Sequence, residues 1–137
     1  MTEKSERLQN VFNECQFLSR AEFEEMGQRF RRAWSLESCY PPFRPEWTVQ
    51  NPAAGQCGVT SALVAELKGG ELLYDSENEH YWNRLPDGTE QDFTREQFVI
   101  GTDIKVTEVI ELSDFLSDLS VKSSQIVERL KILKQSL

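Results

Sequence analysis

Three side chains of this sequence have the types and order that thiol-based nucleophilic catalysis needs. Cys57 lies in the stretch NPAAGQCGVTSALVAELKGG, residues 51–70, where a run of Asn, Pro and Gly gives way to a helical pattern. His80 is the only histidine, and Asp92 follows it in the same hairpin-like stretch, HYWNRLPDGTEQDF. The attacking species in such chemistry is the thiolate, and a free thiol near neutral pH is mostly protonated. The positive end of a helix favours the thiolate. An adjacent imidazole does so more strongly by taking the proton, and a carboxylate on the other ring nitrogen fixes the tautomer and steadies the imidazolium. One residue is present for each role. Gln56, together with the amide of Cys57, is a candidate to hold a developing oxyanion, and Gly55 and Gly58 would let a substrate approach the backbone.

Each of these residues also has a bland explanation. A cysteine on the first turn of a helix serves equally as a small core residue. A histidine at a strand start can be a hydrogen-bonded edge residue, and Asp92 can cap the turn that begins near Thr94. Asn83 and Asp87 compete with Asp92 for the orienting role, although the turn itself accounts for Asp87. Trp47, Trp82 and Asn83 complete the set of candidate substrate contacts.

The turn LPDGT decides which of these residues can meet. Pro86 suits the first corner of a type I turn, Asp87 the second, and Gly88 the left-handed position that follows. A three-residue loop with a bulge sets Leu85 opposite Thr89 and Arg84 opposite Glu90. Counting outward, Trp82 faces Asp92 and His80 faces Thr94, so His80 and Asp92 fall on one face as diagonal neighbours. A register shifted by one would separate them.

The elements around this hairpin follow from periodicity. Apolar residues at Leu8, Val11, Phe12, Cys15 and Leu18 predict a first helix over 5–18. Ser19 and Glu22 form a capping-box signal for a second, whose buried stripe is Phe23, Met26, Phe30, Ala33 and Trp34. The prolines of ESCYPPFRPEW end that helix near Ser35. Residues 37–56 then read as a long loop carrying Cys39, Tyr40, Phe43 and Trp47, and loops of such length are often functional. A third helix spans Cys57 to Lys68, with Thr60, Leu63, Val64 and Leu67 facing the core and Gly69-Gly70 as its left-handed stop. ELLY and HYWNRL are strands, IKVTEVIE (104–111) reads as a strand or extended edge, and 112–120 as a weak helical turn. Ile126, Leu130, Leu133 and Leu137 give the C-terminal helix its packing face. The expected class is α+β: helices, then a small antiparallel sheet with a β-hairpin, then a terminal helix.

Composition narrows the function classes. At 137 residues the chain is expected to form one domain, with 1–25 a helical extension, 26–100 the core and 101–137 a strand and helix segment. It is 39% hydrophobic and 28% charged, which is ordinary for a globular protein, and no apolar run approaches a membrane span. MTEKSERLQN has no apolar run behind its charges, so the expected compartment is the cytoplasm and no membrane partner is expected. With 23 acidic against 15 basic residues the net charge is −8, which repels phosphate backbones and argues against nucleic acid. Three widely spaced cysteines without a CxxC pair suggest neither a disulfide framework nor a metal site, and no cofactor is expected.

The stretches AWSLESC, NPAAGQCGVTSALVAELKGGELL and HYWNRLPDGTEQDFTREQF resemble the YunG-like family of bacterial proteins over roughly residues 30–100. Trp34 and Ser35, Asn51, Pro52, Gly55, Gln56, Cys57, Val59 and Thr60, Gly69 and Gly70, then His80 to Asn83, Asp87, Gly88, Asp92 and Thr94 carry that resemblance. It implies no particular substrate. The order Cys–His–Asp is similar to that of papain-like and transglutaminase-like proteins, where a cysteine on a helix N-terminus faces a His/Asp strand pair. That likeness implies a papain-like fold and a thiol-dependent hydrolase or acyl transferase acting on an amide, ester or thioester. The acidic surface and the aromatic loop suggest a neutral or basic small-molecule or peptide-like substrate. The alternative is a catalytically silent binding module of the same fold, with the terminal helices serving a protein partner.

Overall fold

The computed structural model describes residues 19–137. The helix expected over 5–18, with Cys15 on its stripe, lies outside the described residues. Ser19 opens helix α1 (Arg20–Ala33), its hydroxyl accepting from the Glu22 amide at 3.2 Å. Met26, Phe30 and Ala33 are buried, and Trp34 continues the stripe past the helix end. The proline-rich segment that follows contains a 3-10 turn over Pro41–Glu46 and an isolated bridge between Thr48 and Asn51.

Helix α2 (Cys57–Lys68) runs between the expected residues, but it is buried nearly all the way round rather than on one stripe. Val59, Ala62, Leu63 and Val64 are fully or almost fully enclosed. Trp34 donates from Nε1 to Thr60 Oγ1 at 2.9 Å, tying the end of α1 to α2 across the core. Gly69 and Gly70, both with positive φ, turn the chain into strand β1 (Glu71–Asp75).

Strand β1 pairs antiparallel with β2 (His80–Arg84), β2 with the short β3 (Glu90–Gln91), and β1 on its other edge with β4 (Glu108–Ile110), giving the order β3-β2-β1-β4. The PDG turn sets the expected register: Arg84 opposes Glu90, and the Leu85 amide donates to Thr89 O at 2.8 Å. Pairing stops at Asn83–Gln91, three residues short of the His80–Thr94 pair that an extended hairpin would reach. Phe93 then leaves the sheet to stack on Phe23 and meet Phe30 edge-on. Burying that ring against α1 contributes about 2–3 kcal/mol and ends the strand.

The segment expected as a strand over 104–111 pairs only at 108–110. The stretch before it is pinned by single bonds, Lys105 N to Asp75 Oδ2 at 3.0 Å and Thr107 N to Tyr74 O at 2.8 Å. Asp75 also accepts from the Asn78 side chain and from the amides of Glu77 and Asn78, which holds its carboxyl down to about 2 and fixes the β1–β2 loop. Two short helices, α3 (Leu112–Ser117) and α4 (Leu119–Ser123), lead to α5 (Ile126–Ser136). Ile126, Leu130 and Leu133 of α5 are buried, and α5 packs on α2, so its apolar face is covered within the chain. The mixture of helices with a four-stranded antiparallel sheet is α+β. Among the described residues no helix is long and apolar enough to cross a membrane.

Two glycines with positive φ test how tightly β1 is held. A Cβ on Gly70 (φ +82) would lie 2.1 Å from Arg84 O, whereas a Cβ on Gly88 (φ +89) would meet nothing within 4 Å. Gly88→Ala is expected to cost only the backbone penalty, about 1 kcal/mol. Gly70→Ala adds a clash with a neighbouring backbone and should cost at least about 3 kcal/mol. Urea unfolding midpoints measure both; equal losses would refute this placement of β1 against the hairpin.

Candidate functional site

Cys57 occupies the first position of α2, and no side chain caps the amides of that first turn. Its residue is 8% exposed, and its Sγ lies 3.9 Å from Glu79 O, a long contact for a thiol donor. Glu79 has a left-handed backbone (φ 51), which closes the Asp75 loop and starts β2. His80, fully buried, follows immediately.

His80 is held on every side. Its Nε2 lies 2.6 Å from Asp92 Oδ2, and Gln97 Nε2 lies 3.2 Å from its Nδ1. The ring stacks on Trp82 at 5.5 Å and meets Phe98 edge-on at 4.7 Å. The diagonal neighbours expected from the turn are therefore in direct contact. Asp92 also accepts from the Thr94 amide at 3.1 Å, so it caps the turn and orients the imidazole at once. Arg95, 53% exposed, approaches the same carboxylate at 3.5 Å.

Burial alone would push the His80 imidazole down. The Asp92 carboxylate and the interaction with the Cys57 side chain outweigh that and raise it to about 9. With both nitrogens protonated, Nε2 donates to Asp92 and Nδ1 faces Gln97, whose amide must then present its oxygen. Gln97 is a neighbour that sequence reasoning missed: it sits on the short turn after Thr94, and only the packing of that turn brings it to His80.

The other predicted residues divide clearly. Gln56 is fully buried, its Nε2 donating to Ser35 O at 2.9 Å and its Oε1 accepting from Ser38 Oγ at 2.8 Å. Its side chain stitches the loop to α2. Asn83 is buried and donates to Ser61 O at 2.9 Å, pinning β2 to α2. Trp82 donates to Glu90 Oε1 at 2.8 Å and supports the His80 ring. Trp47 donates to Pro52 O and lines a separate surface hollow with Arg31, Arg32 and Trp34. Asp87 is spent on its own turn, accepting from Thr89. Gly55 (φ +69) lines the Cys57 cavity with its backbone, and on its other side a Cβ would come within 2.5 Å of Cys39 Sγ. Cys39 is fully buried, its thiol directed at Ala54 O and pushed up to about 11 by burial.

Of the triad, Cys57 alone opens into a cavity of about 250 Å³. Tyr40, Phe43, Tyr74, Tyr81 and Phe115 supply aromatic walls, and Gly58 continues the helix N-terminus along its floor. Arg129 of α5 also lines it. The stripe Ile126, Leu130, Leu133 gave no warning of this residue. The available signal was a basic side chain three positions after Ile126, on the buried side of the helix. Among the described residues no group of three or more His, Cys, Asp or Glu is arranged to hold a metal.

Because His80 is the sole histidine, its imidazole resonances report the site directly. A proton NMR titration should find it protonated well above pH 7, with a midpoint near 9, and Asp92→Asn or Cys57→Ala should each bring the midpoint down. Since folding raises this group from an ordinary value near 6.5, its contribution to stability is complete below about 6.5 and is lost as pH climbs through about 9. A midpoint at or below 6.5 in the native protein would refute the described environment.

Residues 22–137 match the family profile described as YunG protein, a span that takes in α3 to α5 as well as the hairpin. The Bacillus subtilis (strain 168) protein described as "Uncharacterized protein YunG" is 34% identical over 77 residues, 55% of this chain and 62% of that protein's length. No solved structure is significantly similar. By the extent of the profile match, the chain belongs to the YunG family.

Proposed function

We propose that this protein is a thiol-dependent hydrolase or acyl transferase in which Cys57 is the nucleophile, His80 the acid–base group and Asp92 the residue that orients it. The observation that carries this reading is the division of exposure: Cys57 lines the aromatic cavity, while the imidazole is fully buried and bonded to the Asp92 carboxylate, which is 15% exposed. The arrangement has the logic of papain-like and transglutaminase-like sites, a cysteine at a helix N-terminus opposite a strand-borne histidine, and the likeness rests on the site alone.

In the resting site His80 already carries the proton as imidazolium, and Cys57 Sγ attacks the carbonyl carbon of an amide, ester or thioester as the thiolate of that pair. The carbonyl oxygen takes the electron pair and meets the uncapped first-turn amides of α2, those of Cys57 and Gly58. With the Gln56 side chain engaged by Ser35 and Ser38, the oxyanion is served by backbone. Collapse of the tetrahedral intermediate expels the amine, alcohol or thiol, which leaves with the proton from His80. The Cys57 thioester then passes its acyl group to water or to another nucleophile, whose proton returns to His80.

Iodoacetamide labelling followed by peptide mapping tests the reading. Cys57 should alkylate readily at pH 6, where an ordinary thiol is almost unreactive, and His80→Ala should slow that reaction at least tenfold, in line with about 10²–10⁴ for a working acid–base group. Cys39 is the internal control and should stay unlabelled in the native state. A Cys57 that reacts only as pH rises toward 9, at the same rate with or without His80, would leave a binding module rather than an enzyme.

A further inference from the structure

The wall of the cavity beside Cys57 holds one buried cation that the triad does not use. Arg129 is 3% exposed, and none of its contacts is with a carboxylate. Nε donates to Ser38 O at 3.0 Å, Nη1 to Ser124 O and Ser124 Oγ at 3.4 and 3.3 Å, and Nη2 to Gly55 O at 3.2 Å. The guanidinium also lies over the Tyr40 ring, 5.7 Å from its centroid. A guanidinium has five N–H groups; four are spent here, leaving one on Nη2. A buried cation satisfied only by neutral acceptors keeps its full charge in a low-dielectric wall, which is costly unless an anion shares the space.

We propose that the Cys57 pocket takes a carboxylate-bearing acyl donor, with the carboxylate at the Arg129 end and an apolar, planar body between the aromatic walls. This deepens the thiol-enzyme reading by naming the class of its substrate. One unspent donor and one buried charge suit a monoanion. The opposite end argues against anything more negative, since the exposed carboxylates Glu79, Glu108 and Asp118 surround Tyr74 and Tyr81 and help keep both phenols protonated. The neighbouring cation Arg44 adds to the positive potential felt by Arg129. Surface charge alone suggested a neutral or basic substrate, but a long-range field from exposed groups is screened within a Debye length, whereas the Arg129 charge is not. Among the anion-forming side chains around it, Cys57 has the largest charge interaction with Arg129.

Comparing iodoacetate with iodoacetamide separates this proposal from the one beneath it. In the urea-unfolded chain, net charge −8, the neutral reagent should react faster with Cys57. In the native protein the iodoacetate-to-iodoacetamide rate ratio should rise about tenfold over that reference, from a single charge held within reach of the site. Phenylacetate should protect Cys57 from iodoacetamide where phenylacetamide does not, and should shift the Arg129 Nε–H resonance. Arg129→Met is expected to abolish the anion preference; should it not fold, the wild-type comparisons decide alone. A native ratio equal to the unfolded one, or equal protection by the neutral amide, overturns the carboxylate proposal while leaving the nucleophile intact. Slow, His80-independent labelling by both reagents overturns the thiol-enzyme reading, and the Arg129 resonance then still decides whether the pocket binds the anion.

Discussion

The burial of α2 on nearly all its faces is the constraint from which the rest follows. A helix enclosed by α1, α5 and the sheet brings its own N-terminus into the interior, and with it the loop that leads there. That loop cannot leave its carbonyls and amides unpaired, since each buried orphan costs on the order of 1–3 kcal/mol. Three side chains discharge the debt. Gln56 bridges Ser35 and Ser38, Ser38 answers Ser35, and Arg129 reaches from α5 to the carbonyls of Ser38 and Gly55. Cys57 emerges from this lattice in a fixed position, held by the bonds at Gln56 and Gly55, one and two residues before it.

The same economy places the His80–Asp92 pair. His80 begins β2 because the Asp75 loop ends in a left-handed Glu79, and Asp92 is brought to it because Phe93 prefers the α1 surface to continued pairing with β2. The early end of β3 thus has a functional consequence: it frees the Asp92 carboxylate to turn toward the imidazole. With the imidazole fully buried and the carboxylate 15% exposed, a 2.6 Å contact between those groups is charge-assisted and strong. Trp82 and Phe98 close the remaining approaches to the ring.

Much of this was legible locally. The Ser19–Glu22 cap, the Gly69-Gly70 stop and the PDG turn are each decided within a few residues, and the turn alone carried the register that joins His80 to Asp92. What the sequence could not disclose depends on contacts between distant segments. Arg129 bonds to carbonyls 91 and 74 positions earlier, and no helical periodicity says whether a basic residue beside a stripe will snorkel outward or be buried among carbonyls. Gln56 illustrates the converse. Its place next to the nucleophile invited a catalytic role, yet the amide of a fully buried glutamine goes to whatever orphan groups lie nearest. Sequence proximity to Cys57 predicted proximity in space and nothing of the direction in which the side chain points.

The C-terminal segment answers a difficulty of size. A chain of 137 residues has few to spare for the walls of a groove, and the sheet with α2 provides only one side of it. Phe115 of α3, Val121 of α4, Ser124 and then Ile126 and Arg129 of α5 provide the other. A helix that by periodicity is merely a packing element therefore does two jobs at once, closing the core through Leu130 and Leu133 and closing the cavity through Arg129. Core and site share one wall, so loosening α5 should loosen both, and a substrate that bridges Cys57 and Arg129 would in turn tie α5 to α2. Binding and folding stability are thermodynamically linked through that contact: whatever occupies the cavity stabilises the chain in proportion to how firmly it holds the two helices together.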